Sequence, residues 1–390
     1  MNSEGDTIRF RYRWAILFTS LYVFTVYAFV LQIVPPLIQP IIKEFNISNT
    51  QAGLLMSIVM VPGIFLSLPA GLFLGRYDCR KMCLLSTIFV FLGSLLTAVA
   101  NSFIIVLIGR FVLGVGGALV STALPPIIAQ WFPDHELGKA MGIFGINMPL
   151  ATVIAFPSAG LLSLSYGWRF PFYVGFAIGI IATISFVLII KKGPFAQRRR
   201  VANIRTAAGN FEVWKIGLVW LCFSAAALSF STWAPTLLEK FRNMPSVEAV
   251  LLVSLTSWAP IFFVPLYGYL SDRTHRRKLF PLVGSILMAL AFVVLAYTSN
   301  IVLVITIFVL GAVTAMIPPI VSTLPAEILG PSLASIGFGV TVTCQNIGAA
   351  FAQPLIGFII DSTQSYTFCL LAMSFFSAIG AIITYTLKTK

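Results

Sequence analysis

The chain is 390 residues long, 58% hydrophobic and only 9% charged, with a formal net charge of +13. A soluble domain carries about 25% charged residues, so the composition excludes a water-solvated globule and points to lipid as the solvent. The positive excess then bears on membrane orientation rather than on a nucleic-acid partner, because in a membrane protein the position of each Lys and Arg carries the information.

A spanning helix needs roughly 20 apolar residues. The hydropathy pattern predicts twelve: 14–38, 50–74, 82–100, 103–129, 139–163 and 169–190, then 215–238, 248–270, 279–298, 301–324, 333–359 and 366–387. The first run is too long for a secretory leader and ends in Pro35-Pro36 rather than at a small-residue cleavage site. The loops are short except for a basic stretch, Lys191–Arg205, with Arg198–Arg200 at its centre. It divides the chain into a six-helix half at 1–190, a linker at 191–213 and a second half at 214–390. The expected class is an all-α polytopic membrane protein.

An internal repeat supports that division. Gly71–Lys81 reads GLFLGRYDCRK, and Gly268–Lys278, 197 residues on, reads GYLSDRTHRRK. At the same offset Phe111–Gly114 recurs as Phe308–Gly311, Gly142 as Gly339, Pro157 as Pro354 and Gly160 as Gly357. Parallel six-span repeats are a known transporter architecture. With these spans, 20 of the 25 Lys and Arg fall on one side, Lys43, Arg169, Lys240 and Arg242 fall on the other, and Arg110 lies inside a span. The positive-inside rule makes both termini cytoplasmic, and the short loops suggest a prokaryotic inner membrane.

Cys79, Cys83, Cys222, Cys344 and Cys369 sit in spans or cytoplasmic loops, so no disulfide framework is indicated. His135 and His275 lack metal-ligand spacing, and no paired acids or nucleophile with base are visible. Neither an enzyme, a cofactor nor a metal is expected. The expected partners are a small-molecule substrate and the bilayer, with a coupling proton or counter-ion left open.

The two charged loops resemble the signature G-x-L-x-D-R-x-G-R-R of the major facilitator superfamily, and the likeness covers roughly residues 13–388. The second copy carries Gly268, Asp272, Arg273, Arg276 and Arg277. The first carries Gly71, Arg76 and Arg80 but has Gly75 where the acid is expected and Asp78 three residues later. Arg110–Gly116 is similar to that family's R-x-x-x-G-x-G motif, whereas Asn147–Ala151 replaces its antiporter signature. The resemblance implies two six-helix halves rocking about a midplane site, and a gating latch at Asp272.

Arg110 is the first candidate for the solute or coupling site. A central Arg costs about 2.5–3.5 kcal/mol on insertion scales, and its repeat counterpart is the apolar Ile307. A helix-packing arginine bonded to carbonyls is the equally weighted alternative. No Asp or Glu falls mid-span, so one buried cation without a buried anion favours an anionic substrate. Tyr27, Gln32, Asn147, Trp233, Gln345 and Asn346 form a second tier, against the competing role of interhelical hydrogen bonds. Trp233 lies nearer a span end, where belt tryptophans are common. Pro35-Pro36, Pro125-Pro126 and Pro318-Pro319 should kink or end their helices. The expected activity is secondary transport of a small organic or inorganic anion. The alternatives are export of hydrophobic or aromatic compounds and a non-transporting sensor or scaffold.

Overall fold

The computed structural model describes residues 3–73, 78–191, 193, 209–274, 276–330 and 334–388. Gly75, Arg76, Lys192, Arg198–Arg200, Arg205, His275 and Lys390 lie outside those residues, and Arg9, Arg11, His135 and Asp272 are described for their backbone alone. The ordered elements among the described residues are helices: α1 (Ser3–Gln32), α2 (Ile38–Phe45), α3 (Asn49–Phe73), α4 (Cys79–Ala98), α5 (Phe103–Ala129), α6 (Asp134–Phe144), α7 (Asn147–Tyr166) and α8 (Phe170–Ile189). After the basic stretch come α9 (Phe211–Arg242), α10 (Ser246–Thr274), α11 (Leu279–Tyr297), α12 (Asn300–Thr314), α13 (Pro318–Leu329), α14 (Ala334–Thr363) and α15 (Tyr366–Thr386). Helices are what lipid permits, since every backbone N–H and C=O must find its partner within the segment.

These helices supply twelve spans, matching the hydropathy reading. An even number of crossings brings both chain ends to one face, called here the terminal face; the opposite face is the far face. Three spans are composite. The first joins α1 to α2 through a 3-10 turn at Pro35–Leu37, the fifth joins α6 to α7, and the tenth joins α12 to α13. The prolines account for two of these breaks. Pro35 and Pro36 end α1, and Pro318 and Pro319 open the first turn of α13, where a missing N–H costs nothing. Pro125 and Pro126 sit at the end of their helix. They lie within the last five residues of α5, which runs on unbroken to Ala129. The break between α6 and α7 has no proline. Phe144 ends α6, and the Asn147 side chain donates to the Phe144 carbonyl across the gap at 2.5 Å.

The repeat at 197 residues extends to helix ends. α3 and α10 start at 49 and 246, α5 and α12 at 103 and 300, while α7 and α14 end at 166 and 363. Asn46 and Asn243, again 197 apart, are both left-handed C-caps with φ of 50° and 51°. Asn tolerates that conformation because its short amide bonds locally. The packing repeats too. In the first six spans α1 packs on α7 and α8, and α4 on α5 and α8; in the last six α9 packs on α14 and α15, and α11 on α12 and α15.

Among the described residues the first six spans meet the last six chiefly where α3 packs on α14 and α7 on α10, and the turn at Pro35–Leu37 also packs on α9. Large apolar side chains such as Phe65, Leu188 and Phe375 are exposed on the periphery, as a lipid-facing surface requires.

Candidate functional site

Arg110 is fully buried, and its guanidinium is filled by backbone. Nη1 donates to the Val30 carbonyl at 2.9 Å, Nη2 to Leu31 at 3.3 Å and Nε to Leu55 at 3.0 Å, with Met56 Sδ also near Nη2. The cause lies in α1. A helix leaves its last carbonyls without internal donors, and the residue four beyond Leu31 is Pro35, which has no N–H. Arg110 supplies the donors that the broken helix cannot. This is the helix-clamping geometry, and the donors recorded for Arg110 are engaged within the first six spans. Tyr27 lies beside it. Its ring packs flat on Gly117 of α5, where any Cβ would collide with the phenol.

The other polar residues divide into pairs. Gln32 Nε2 donates to Thr152 Oγ1 at 2.7 Å, tying α1 to α7, and Thr152 in turn donates to the Met148 carbonyl. Asn147 closes the break in its own span. Trp233 is fully buried rather than interfacial, and its Nε1 donates to the Gln353 carbonyl at 3.0 Å, tying α9 to α14. Asn346 donates to the Val342 carbonyl, and its amide lies against Gly63 of α3. Gln345 is half-buried and makes no hydrogen bond among the described residues. The six candidates therefore do not converge on one cluster. Gln32 joins α1 to α7, Trp233 joins α9 to α14 and Asn346 lies where α14 meets α3, while Tyr27 packs on α5 and Asn147 stays within its own span.

The last of these lines is the most built. α3 and α14 run antiparallel. A Cβ on Gly53 would stand 2.7 Å from the Gln353 carbonyl, so glycine is what lets the two backbones touch. Gly357 meets the Asn49 carbonyl in the same way. Ser57 Oγ donates to the Ala350 carbonyl at 2.5 Å. That carbonyl is free because the residue four beyond it, Pro354, has no N–H.

At the far-face end Asp361 of α14 caps the N-terminus of α3. Oδ1 accepts from Asn49 N at 3.1 Å and Asn49 Nδ2 at 2.6 Å; Oδ2 accepts from Thr50 N at 2.8 Å and Thr50 Oγ1 at 2.7 Å. Ser48 and Gln51 complete a capping box, with Ser48 N donating to Gln51 Oε1 and Gln51 N to Ser48 Oγ. All four N-terminal amides of α3 are then bonded, since Ala52 N donates to the Ser48 carbonyl. A carboxylate at a helix N-terminus also meets the positive end of the helix dipole. The sequence reading counted Asp361 as a loop-side acid and passed over Gln353. Only the pairing of α3 with α14 gives them meaning, and no local pattern encodes it.

Of the gating-motif residues, Arg80 Nη2 donates to the Val187 carbonyl at the end of α8. Asp78 caps its own helix, accepting from Arg80 N at 2.9 Å. Arg277 forms an ion pair with Glu327 at the end of α13. Lys278 Nζ donates to the Tyr385 and Leu387 carbonyls, tying down the end of α15. Arg273 is exposed, and Gly268 has open space where a side chain would project; Gly71 lies in the last turn of α3. These loops hold helix ends of their own six-span set on the terminal face.

A family model described as Major Facilitator Superfamily matches residues 20–351 and 243–390. The chain is 30% identical over 268 residues to "Probable nitrate/nitrite antiporter NarK1" of Thermus thermophilus, covering 64% of this chain and 59% of that protein. It is 24% identical over 384 residues to "Probable sulfoacetate transporter SauU" of Cupriavidus necator, covering 90% and 87%. It is also 24% identical over 372 residues to "Multidrug resistance protein 2" of Bacillus subtilis, covering 91% and 90%. The crystal structure of a bacterial homolog to the human lysosomal transporter Spinster, inward-facing and unoccupied, superposes with a TM-score of 0.79 at 18% identity, over 96% of each chain.

Proposed function

The chain belongs to the major facilitator superfamily, and from that premise we propose that it carries a small organic or inorganic anion across a cell membrane by alternating access. The two moving bodies are residues 1–190 and 214–390, joined by the basic linker 191–213. Lys and Arg concentrate on the terminal face, which is therefore cytoplasmic, and the far face is external. The bonds of Asp361 and Ser57, with the close backbone approach at Gly53, then close the external side. Gly160 meets Val250 near the external ends of α7 and α10, while Gly142 and Gly268, toward the cytoplasmic ends, have open space beside them. This is the arrangement in which a solute path opens to the cytoplasm.

The observation that carries the anion is the charge inventory of the spans. Arg110 is a buried cation, and the described acids sit at span ends: Asp78, Glu136, Glu212 and Glu327 on the cytoplasmic side, Glu44, Glu239, Glu248 and Asp361 on the external side. The carbonyls around Arg110 offset its charge only in part, so the interior keeps a positive bias. The nitrate/nitrite and sulfoacetate relatives agree with that sign. Export of uncharged aromatic compounds is the second reading, favoured by the multidrug relative.

Counterflow into proteoliposomes tests both. Vesicles preloaded with unlabelled nitrate or sulfoacetate should accumulate the same labelled anion transiently. Absence of anion counterflow, with counterflow of an uncharged aromatic drug, would replace the anion reading by the export reading.

A further inference from the structure

Six of the polar side chains of α3 and α14 have a recorded contact across or beside their seam: Asn49, Thr50, Ser57, Asn346, Gln353 and Asp361. Five have hydrogen-bond partners. Gln353 is the exception. It is 1% exposed, and its Oε1 has no hydrogen-bond partner among the described residues. Its neighbours engage its backbone instead: Trp233 of α9 donates to its carbonyl, and Gly53 of α3 lies against the same atom.

Most buried side-chain polar atoms without a partner among the described residues are Ser and Thr hydroxyls, and Gln353 Oε1 is the one carboxamide oxygen among them; a buried acceptor left unpaired is costly. The repeat shows that the fold does not require an amide at this point. The residue 197 positions earlier is Phe156 on α7, and it is fully buried. Trp233 would bond the carbonyl of any residue at 353. What distinguishes the site is that it lies where α3 of the first six spans meets α9 and α14 of the last six. That seam must part if the external side is to open, and a polar group shut away in one state is then uncovered in the other.

We propose that the Gln353 amide is a specificity-determining contact for the transported solute. It is hidden while the external side is closed and presented to the path when α3 leaves α14. A carboxamide suits an oxyanion through its N–H donors, and its Oε1 suits a hydroxyl or water carried with the solute. This rests on the transport reading above, and the test separates the two.

The experiment is thermal unfolding of the full chain in detergent, titrated with nitrate, sulfoacetate, D-glucarate, D-glucose and chloramphenicol. It compares the unmutated protein with Gln353→Met, which keeps length and removes the amide, and Gln353→Glu, which adds a negative charge. In the absence of solute Gln353→Met should melt at or above the unmutated midpoint. For whichever solute raises that midpoint, its apparent Kd should weaken at least tenfold in Gln353→Met, and for an oxyanion further in Gln353→Glu. A Gln353→Met protein that melts lower and keeps its Kd within twofold makes the amide structural and overturns the inference. If only the neutral solutes act and Gln353→Met weakens them tenfold, the amide stands and the anion reading falls. A protein shifted by none of the five overturns both.

Discussion

Neutralising Asp361 should loosen the far-face end of the seam between α3 and α14 by an amount that the geometry sets. Its carboxylate accepts four hydrogen bonds from Asn49 and Thr50. A single bond to a charged group contributes about 1.5–3 kcal/mol. The four share one half-exposed carboxylate and compete with water, so about 2–3 kcal/mol for the set is the working figure. Alanine at 361 removes all of it, which corresponds to roughly 30–140-fold in the ratio of open to closed seam, at 1.4 kcal/mol per tenfold. Asparagine keeps one acceptor oxygen but loses the charge, and charge-assisted bonds are roughly twice as strong as neutral ones. Asp361→Asn should therefore shift the ratio about tenfold. The assay is labelling of Ser57→Cys by a membrane-impermeant maleimide added outside intact cells. Ser57 is 8% exposed beneath the seam, and the native cysteines are buried. While the open state is the minor one, the labelling rate follows its population. Thr50→Val should add little once Asp361 is gone, because the two act through one contact. Labelling that stays within twofold in Asp361→Ala would show that this carboxylate does not hold the seam.

Three further outcomes are expected. Arg110→Lys retains the charge but bonds at most part of the Val30, Leu31 and Leu55 set; each abandoned buried carbonyl costs about 1–3 kcal/mol, so the melting midpoint should fall by several degrees, and an unchanged midpoint would refute the clamp. Pro35→Ala restores an N–H opposite the Leu31 carbonyl and should recover part of the midpoint lost in Arg110→Gln, read by the same melt. Gly53→Val places a side chain where a Cβ alone would lie 2.7 Å from the Gln353 carbonyl; it should raise Ser57→Cys labelling about as much as Asp361→Ala does and slow transport in proteoliposomes.

The twelve spans were legible because each is a long apolar run, and lipid leaves such a run no alternative to helix. The repeat was legible for the same reason that Asn46 and Asn243 cap equivalent helices, since local chemistry at a fixed offset does not depend on neighbours. The break at Phe144–Asn147 was not legible, because neither residue forbids helix there. Trp233 resembled a belt residue by position, yet it is fully buried and bonded to α14. Asp361 was the largest omission. As an isolated acid after a span it resembles any other loop charge, and its role exists only because α3 begins beside it.

One physical device recurs at both the clamp and the seam. Pro35 frees the Leu31 carbonyl and Pro354 frees the Ala350 carbonyl, and in each case a neighbouring helix supplies the donor, Arg110 to the first and Ser57 to the second. The two differ in what they join. Arg110, Leu31 and Leu55 all belong to the first six spans, so their bonds travel with one body and need not break when the seam opens. Ser57 and Ala350 belong to different sets, so in the proposed transport cycle their bond breaks when the seam parts, after which water can take each partner. The donors differ accordingly: a guanidinium with several fixed bonds holds the permanent joint, and a single hydroxyl that water replaces at little cost serves the temporary one. On this logic Arg110 variants should lower the melt without moving the inward–outward balance, whereas Ser57→Ala and Asp361→Ala should lower the melt and move the balance together.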